Sequence, residues 1–141
     1  MNVEVNLVAV VLAMLSSMVV GSIWYAKGVF GARWAKLAKV DLSKMGKGSD
    51  AWKPMLTTMV VSLITAYVLA HVTYLSNQFF GATYLNSALT TAFWLWLGLT
   101  AARFVTHDAF EGRPSELTLL NLGNELVTLL AMGLVIGLVG V

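Results

Sequence analysis

The chain has 141 residues, of which 58% are hydrophobic and 11% are charged, and its mean hydropathy is +0.78. About a quarter of the residues of a soluble domain are charged, so this composition excludes an ordinary water-soluble enzyme. The formal net charge is only +2, and the absence of cysteine excludes disulfides, thiolate catalysis and iron–sulfur ligation. Because the length allows one domain, we predict a single membrane domain over residues 1–141.

Four apolar stretches fill most of this domain. A helix needs about 20 predominantly apolar residues to cross a hydrocarbon core of about 30 Å. The sequence has such stretches at about residues 6–26, 55–75, 84–102 and 117–141. We interpret the first as a span, because its leader is acidic and its apolar run is longer than that of a signal peptide. The pattern predicts an all-α, integral membrane four-helix bundle.

The basic residues predict the orientation of this bundle. Seven of the nine lie between the first two spans, namely Lys27, Arg33, Lys36, Lys39, Lys44, Lys47 and Lys53. By the positive-inside rule, this connection is cytoplasmic. Four spans then place both termini outside, and we expect a multi-pass protein of the inner (cytoplasmic) membrane.

The same connection begins with an amphipathic segment. Between Phe30 and Val40, apolar residues alternate with Arg33, Lys36 and Lys39 at roughly helical spacing. This alternation predicts a short helix that lies in the headgroup layer. Its basic residues can either orient the chain or recognise anionic lipids. The glycines that follow predict a flexible crossing over about residues 41–53.

Small residues at four-residue steps form ridges on the predicted spans. In lipid, the hydrophobic effect does not press helices together, so close approach of small residues must supply the contacts. The ridges on spans one, two and four contain Ala9, Ala13, Ser17, Ser62, Ala66, Gly133 and Gly137. They can pack within one protomer or between protomers. Because four short helices enclose little interior, we expect a homo-oligomer in the lipid bilayer.

Span four carries an acidic residue inside the membrane. Thr118, Asn121, Glu125 and Thr128 follow steps of three, four and three, so they form one polar stripe with Asn124 at its flank. The helical rise places Glu125 roughly 12 Å into the membrane. An ionisable group at that depth costs a few kcal/mol and marks a functional site by default. The alternative is a protonated Glu125 that hydrogen-bonds a neighbouring helix and fixes its register.

Other ionisable groups lie nearer the membrane surfaces. His71, near the outer end of span two, can act as a proton site or as a structural hydrogen-bonding residue. A charged cluster follows span three and contains Arg103, His107, Asp108, Glu111 and Arg113. We interpret the cluster as an ion-paired cytoplasmic cap of the bundle. Zinc sites usually take ligands from wider constellations, so we predict no metal and no cofactor.

Two segments carry a resemblance to a known family. The first contains Gly21, Trp24, Tyr25, Phe30, Gly31 and Trp34, and the second contains residues 107–113 and 120–123. Both are similar to the characteristic stretches of the domain-of-unknown-function 1761 family of small four-span bacterial membrane proteins. The resemblance covers the whole chain in span order. It implies a four-helix integral membrane fold and assigns no activity.

The sequence supports several functions. It contains no phosphate-binding glycine loop, nucleophile elbow or pair of catalytic carboxylates, so we predict neither an enzyme nor a nucleic-acid partner. The leading hypothesis is an oligomeric channel or transport module for a proton, ion or small solute, with the polar stripe lining its path. A second is a non-catalytic accessory or assembly subunit of a larger membrane complex. A third, a binding protein for a lipid or apolar ligand, rests on the basic connection and the aromatic residues.

Overall fold

The computed structural model describes residues 3–41 and 52–140. Within these two ranges the chain is almost entirely helical, and it contains no strand. Four of its helices are long and apolar enough to cross a membrane. These findings confirm the predicted all-α, four-span architecture. Of the flexible crossing predicted over about residues 41–53, residues 42–51 lie outside the described residues, as does the last residue of the fourth predicted span. The last two residues of that predicted crossing, Trp52 and Lys53, already belong to the helix Trp52–Phe80, so the crossing ends earlier than predicted.

The helices follow one another with short connections. In chain order they are α1 (Leu7–Trp24), a π-helical turn (Lys27–Gly31), α2 (Ala32–Ala38), α3 (Trp52–Phe80), α4 (Tyr84–Leu95), a π-helical segment (Trp96–Ala101), α5 (Ala102–Glu111) and α6 (Ser115–Val139). The spans are α1, α3, the continuous helix Tyr84–Glu111 and α6. The short helix predicted after the first span is α2.

The third span is longer than the apolar stretch that predicted it. We expected it to stop before Arg103, but the helix continues through α5 to Glu111. A charged residue ends an apolar run without interrupting the backbone hydrogen bonds of a helix. The helix ends instead at Gly112, whose φ of +66° is the left-handed conformation that terminates many helices.

The four spans form a closed ring. Helix α6 packs between α1 and α4, and α3 packs between the same two helices on the opposite side. We call one end of the ring the hairpin end, since the turn at residues 81–83 joins α3 to α4 there. Asn77 Nδ2 donates a 2.5 Å hydrogen bond to the Ala82 carbonyl across this turn. We call the opposite end, with α2 and residues 112–114, the basic end.

The apolar core of the ring lies towards the hairpin end. It is built largely from alanines on three helices, with larger side chains between them: Ala13, Ala66, Ala70, Ala88, Ala92, Leu69, Met132 and Ile136. Gly133 approaches α4 so closely that an added Cβ would lie 3.0 Å from the Ala88 carbonyl oxygen. Ala9 and Ser17 are also buried, and Ser62 is half-buried. The ridges of small residues thus pack within one protomer.

The ring is looser at the basic end. Residues 52–61 at the start of α3 are all exposed. The π-helical segment and α5 lie against α6. The third span and α6 leave a groove between them at this end, and it holds the charged groups described next.

Candidate functional site

A groove lies between the third span and α6 at the basic end. Its volume is about 470 Å³, within the usual range for small-molecule sites. Its lining residues are Leu99, Thr100, Arg103, Phe104, His107, Asp108, Glu111, Arg113 and Glu125. The structure therefore brings Glu125 into one open cavity with all five residues of the predicted cap.

The π-helical segment Trp96–Ala101 sets the direction in which α5 presents its side chains. A π-helical turn holds more residues than an α-helical turn, so it changes the phase of every side chain that follows it. The Trp96 indole Nε1 donates a 3.1 Å hydrogen bond to the Leu122 carbonyl and thereby ties this segment to α6. Such π insertions are frequent at functional sites.

One part of the groove is a network of paired charges. Asp108 is only 5% exposed, and its Oδ2 accepts a 2.6 Å hydrogen bond from the Thr118 hydroxyl. Arg113 Nε lies 3.7 Å from the other Asp108 oxygen and 2.6 Å from Glu111 Oε2. A buried carboxylate needs such partners, since an unpaired one is strongly destabilising. This network joins the end of α5 to the start of α6.

The remaining charges of the groove have no such partners. Within residues 3–41 and 52–140, Arg103, His107 and Glu125 make no side-chain hydrogen bond or ion pair. Arg103 and His107 are exposed, and Glu125 is half-buried on α6. The groove thus holds basic side chains of α5 and an acidic side chain of α6 that line one cavity without pairing to each other.

Aromatic side chains of the first connection contact α6 next to the groove. The Trp34 indole Nε1 donates a 3.2 Å hydrogen bond to Asn121 Oδ1, and the Tyr25 hydroxyl donates to the same oxygen at 3.4 Å. The Tyr25 and Trp34 rings meet edge to face, 5.2 Å apart. Trp24 packs over Gly123, where an added Cβ would lie 3.1 Å from the indole ring.

The other residues of this aromatic segment shape the turn before α2. Phe30 packs against Trp24, with ring centroids 4.6 Å apart. At Gly31 any side chain would collide with the Tyr25 carbonyl oxygen, so only glycine allows this close approach. Arg33, on α2, pairs with Glu116 at the start of α6. The segment resembling the family signature is therefore one unit docked on α6.

The predicted polar stripe of span four divides into separate environments. Thr118 donates a hydrogen bond to Asp108, and Asn121 accepts hydrogen bonds from Trp34 and Tyr25. Asn124 is buried, and its Nδ2 has no hydrogen-bond partner within the described ranges. Thr128 is half-buried. Of the stripe, only Glu125 lines the groove.

His71 lies on α3 towards the hairpin end, and it does not line the groove. Its ring lies 6.1 Å from that of Tyr67, and its Nδ1 is buried without a partner among the residues described. No group of three or more His, Asp or Glu side chains suited to a metal ion occurs in the described part of the chain.

Sequence analysis did not identify two features of this region. Leu99, Thr100 and Phe104 line the groove, and no sequence pattern marked them, because the π-helical segment that contains Leu99 and Thr100 breaks the regular helical spacing. The pair between Arg33 and Glu116 had no local signal, because 83 residues separate the partners.

The chain matches the family described as protein of unknown function (DUF1761) over residues 8–137. The chain belongs to this family. The match includes nearly all of the four spans and every residue that lines the groove, and it confirms the resemblance of the two segments. No curated protein and no solved structure matches the chain. The function of this DUF1761 protein must therefore be argued from its own site.

Proposed function

We propose that this DUF1761 protein is a non-catalytic channel or transport module that admits a proton, an ion or a small solute from the basic end of the bundle. The observation that carries the proposal is the groove, which joins Glu125 to charged residues of α5 in one open cavity. An ionisable side chain inside a membrane is expensive to keep and usually belongs to a substrate or proton path.

The charge distribution supports an orientation for this path. Six of the nine basic residues lie in the connection between α1 and α3, and a seventh, Lys53, lies in the first turn of α3. By the positive-inside rule, this connection faces the cytoplasm in the inner membrane, and both termini lie outside. The groove then opens towards the cytoplasm, and Glu125 is its intramembrane end.

The path beyond Glu125 is closed within the protomer. Leu129, Met132 and Ile136 fill the next turns of α6 and are buried, and Gly133 lies against α4. Transport therefore requires either a rearrangement of these contacts or a second copy that completes the path. Gly98 and Ala102 support a homo-oligomer, since both are exposed on the third span, where small residues favour close helix contact.

The alternative is an accessory or assembly subunit of a larger membrane complex. The exposed start of α3 supports it, because Trp52 is 58% exposed and Met55 is 64% exposed. The mass of the gently solubilised particle separates the two functions. A multiple of 15.2 kDa supports the transport module, whereas foreign subunits that co-purify in fixed proportion support the accessory role.

The direct test is flux through proteoliposomes with an entrapped pH dye, under a membrane potential and under imposed solute gradients. We expect the wild-type protein to carry flux above that of empty liposomes, and Glu125→Gln to abolish it. Glu4→Gln is the matched control, because Glu4 is exposed near the N-terminus and lies outside the groove. Wild-type flux in Glu125→Gln would overturn the role of Glu125 in the path.

A further inference from the structure

The unpaired charges of the groove are arranged on two facing walls. Arg103 and His107 are four residues apart on α5, so they share one face of that helix. Glu125 lies on α6 and lines the same groove. Arg103 and Glu125 nevertheless form no ion pair, although Arg113 in the same groove is paired with two carboxylates.

Two hydrogen bonds fix the position of these walls. The bond from Trp96 to the Leu122 carbonyl lies before Arg103 in the chain, and the bond from Thr118 to Asp108 lies after it. These two contacts fix the third span against α6 on either side of Arg103, and in this packing Arg103 and Glu125 line one groove without forming an ion pair. A ligand in the groove can therefore contact both side chains.

The side chains on the two walls indicate the chemical class of the ligand. In a partly desolvated groove, separated opposite charges are poorly compensated, and a simple ion compensates only one of them. A guanidinium group binds carboxylate or phosphate oxygens well, and a carboxylate binds an ammonium group. Leu99 and Phe104 line the same groove and offer apolar contacts to the carbon atoms between the two charges.

We propose that the groove binds a small zwitterion, with its carboxylate or phosphate at Arg103 and His107 and its ammonium group at Glu125. This inference rests on the proposed function, since it names the substrate class of the same groove. Two sources offer this chemistry: a free amino acid, and the phosphoethanolamine headgroup of a membrane lipid.

The test is calorimetric binding to the purified protein in detergent, with glycine and phosphoethanolamine as probes. Acetate and ethylammonium, which each carry one of the two charges, are the matched control ligands. We expect at least one zwitterion to bind about tenfold more tightly than either single-charge ligand, since only it meets both walls. Equal binding of zwitterions and single-charge ligands, or no binding of either, would overturn the inference.

Variants assign each end of the ligand. Arg103→Gln should weaken zwitterion binding about tenfold by removing a charge-assisted contact, and His107→Gln provides a second variant on the same wall. In Glu125→Gln the preference for glycine over acetate should disappear, because the ammonium group has lost its partner. Arg33→Gln, an exposed arginine outside the groove, is the control and should bind as the wild type does.

The source of the ligand is decided by native mass spectrometry of protein from membranes that contain phosphatidylethanolamine. Retention of this lipid by the wild type but not by Arg103→Gln supports the headgroup as ligand, whereas binding of soluble glycine supports a free solute. Ligand binding can be measured without flux, so either proposal can be overturned while the other holds. Zwitterion binding without any flux overturns transport alone, and Glu125-dependent flux without zwitterion binding overturns this inference alone.

Discussion

The two halves of the bundle are held together by different kinds of contact. In the hairpin half, alanines and glycines let the helix backbones approach closely, as where Gly133 meets Ala88. In the basic half, the contacts on α6 include hydrogen bonds and ion pairs between side chains, such as those between Asp108 and Thr118 and between Trp34 and Asn121. One half has a core of small apolar residues, and the other encloses a polar groove.

The close packing that stabilises the fold therefore lies in the hairpin half, and the groove to which we assign the proposed function lies in the basic half. Close packing of small residues contributes to helix association in lipid, and where Gly133 meets Ala88 it leaves little space between α4 and α6. Unpaired charges need space and are costly to bury. A bundle whose hairpin half is tightly packed can keep Arg103 and Glu125 unpaired in its basic half, because the fold does not depend on them.

The largest expected loss of stability follows from the addition of a single methyl group in the hairpin half. At Gly137 an added Cβ would lie 2.6 Å from the Leu85 Cα, so α6 or α4 must shift. Because the clash is with backbone, we expect Gly137→Ala to destabilise the protein by about 3 kcal/mol, the upper end of the usual cost of overpacking, visible as a lower Tm in detergent.

Gly21→Ala is the control for this change. Gly21 is also helical, but an added Cβ there meets nothing within 4 Å. The variant should keep the wild-type Tm or exceed it slightly, because alanine restricts the unfolded chain. An unchanged Tm in Gly137→Ala would mean that the hairpin half is not the rigid half.

The next effect probes the paired network of the basic half. Thr118→Val keeps the side-chain shape but removes the hydroxyl that donates to the buried Asp108. A hydrogen bond to a charged group contributes about 1.5 to 3 kcal/mol, and the Tm should fall accordingly. Thr106→Val is the control, since the exposed Thr106 hydroxyl donates only to the Ala102 carbonyl of its own helix. An equal fall in Tm in both variants would show that the hydrogen bond from Thr118 to Asp108 adds no more stability than that of an exposed threonine.

The spans and the small-residue ridges were predictable because both depend on local patterns. The length of an apolar run and a four-residue spacing can be read within one helix, as for Ala9, Ala13 and Ser17 on α1. The end of the third span was predicted too early, because hydropathy reports where the apolar run stops and not where the helix stops.

The groove was not predictable, since its geometry depends on contacts between distant segments. The π-helical segment Trp96–Ala101 changes the phase of α5, and regular helical spacing does not foresee such a change. The sequence indicates Glu125 by its depth in the fourth span, and it indicates the charged cluster by the density of its ionisable residues. Only the packing of α5 on α6 shows that they line one cavity.

The smallest expected effect concerns the ion pair between Arg33 and Glu116, which also crosses from α2 to α6. Both side chains are largely exposed, at 66% and 43%. Exposed pairs contribute about 0.2 to 1 kcal/mol and are weakened by salt. A double-mutant cycle with Arg33→Gln and Glu116→Gln should therefore give a small coupling energy that disappears in high salt. Coupling that persists in high salt would show that the pair is shielded from solvent. The ion pair between Arg33 and Glu116 would then attach α2 to α6 alongside the hydrogen bond between Trp34 and Asn121.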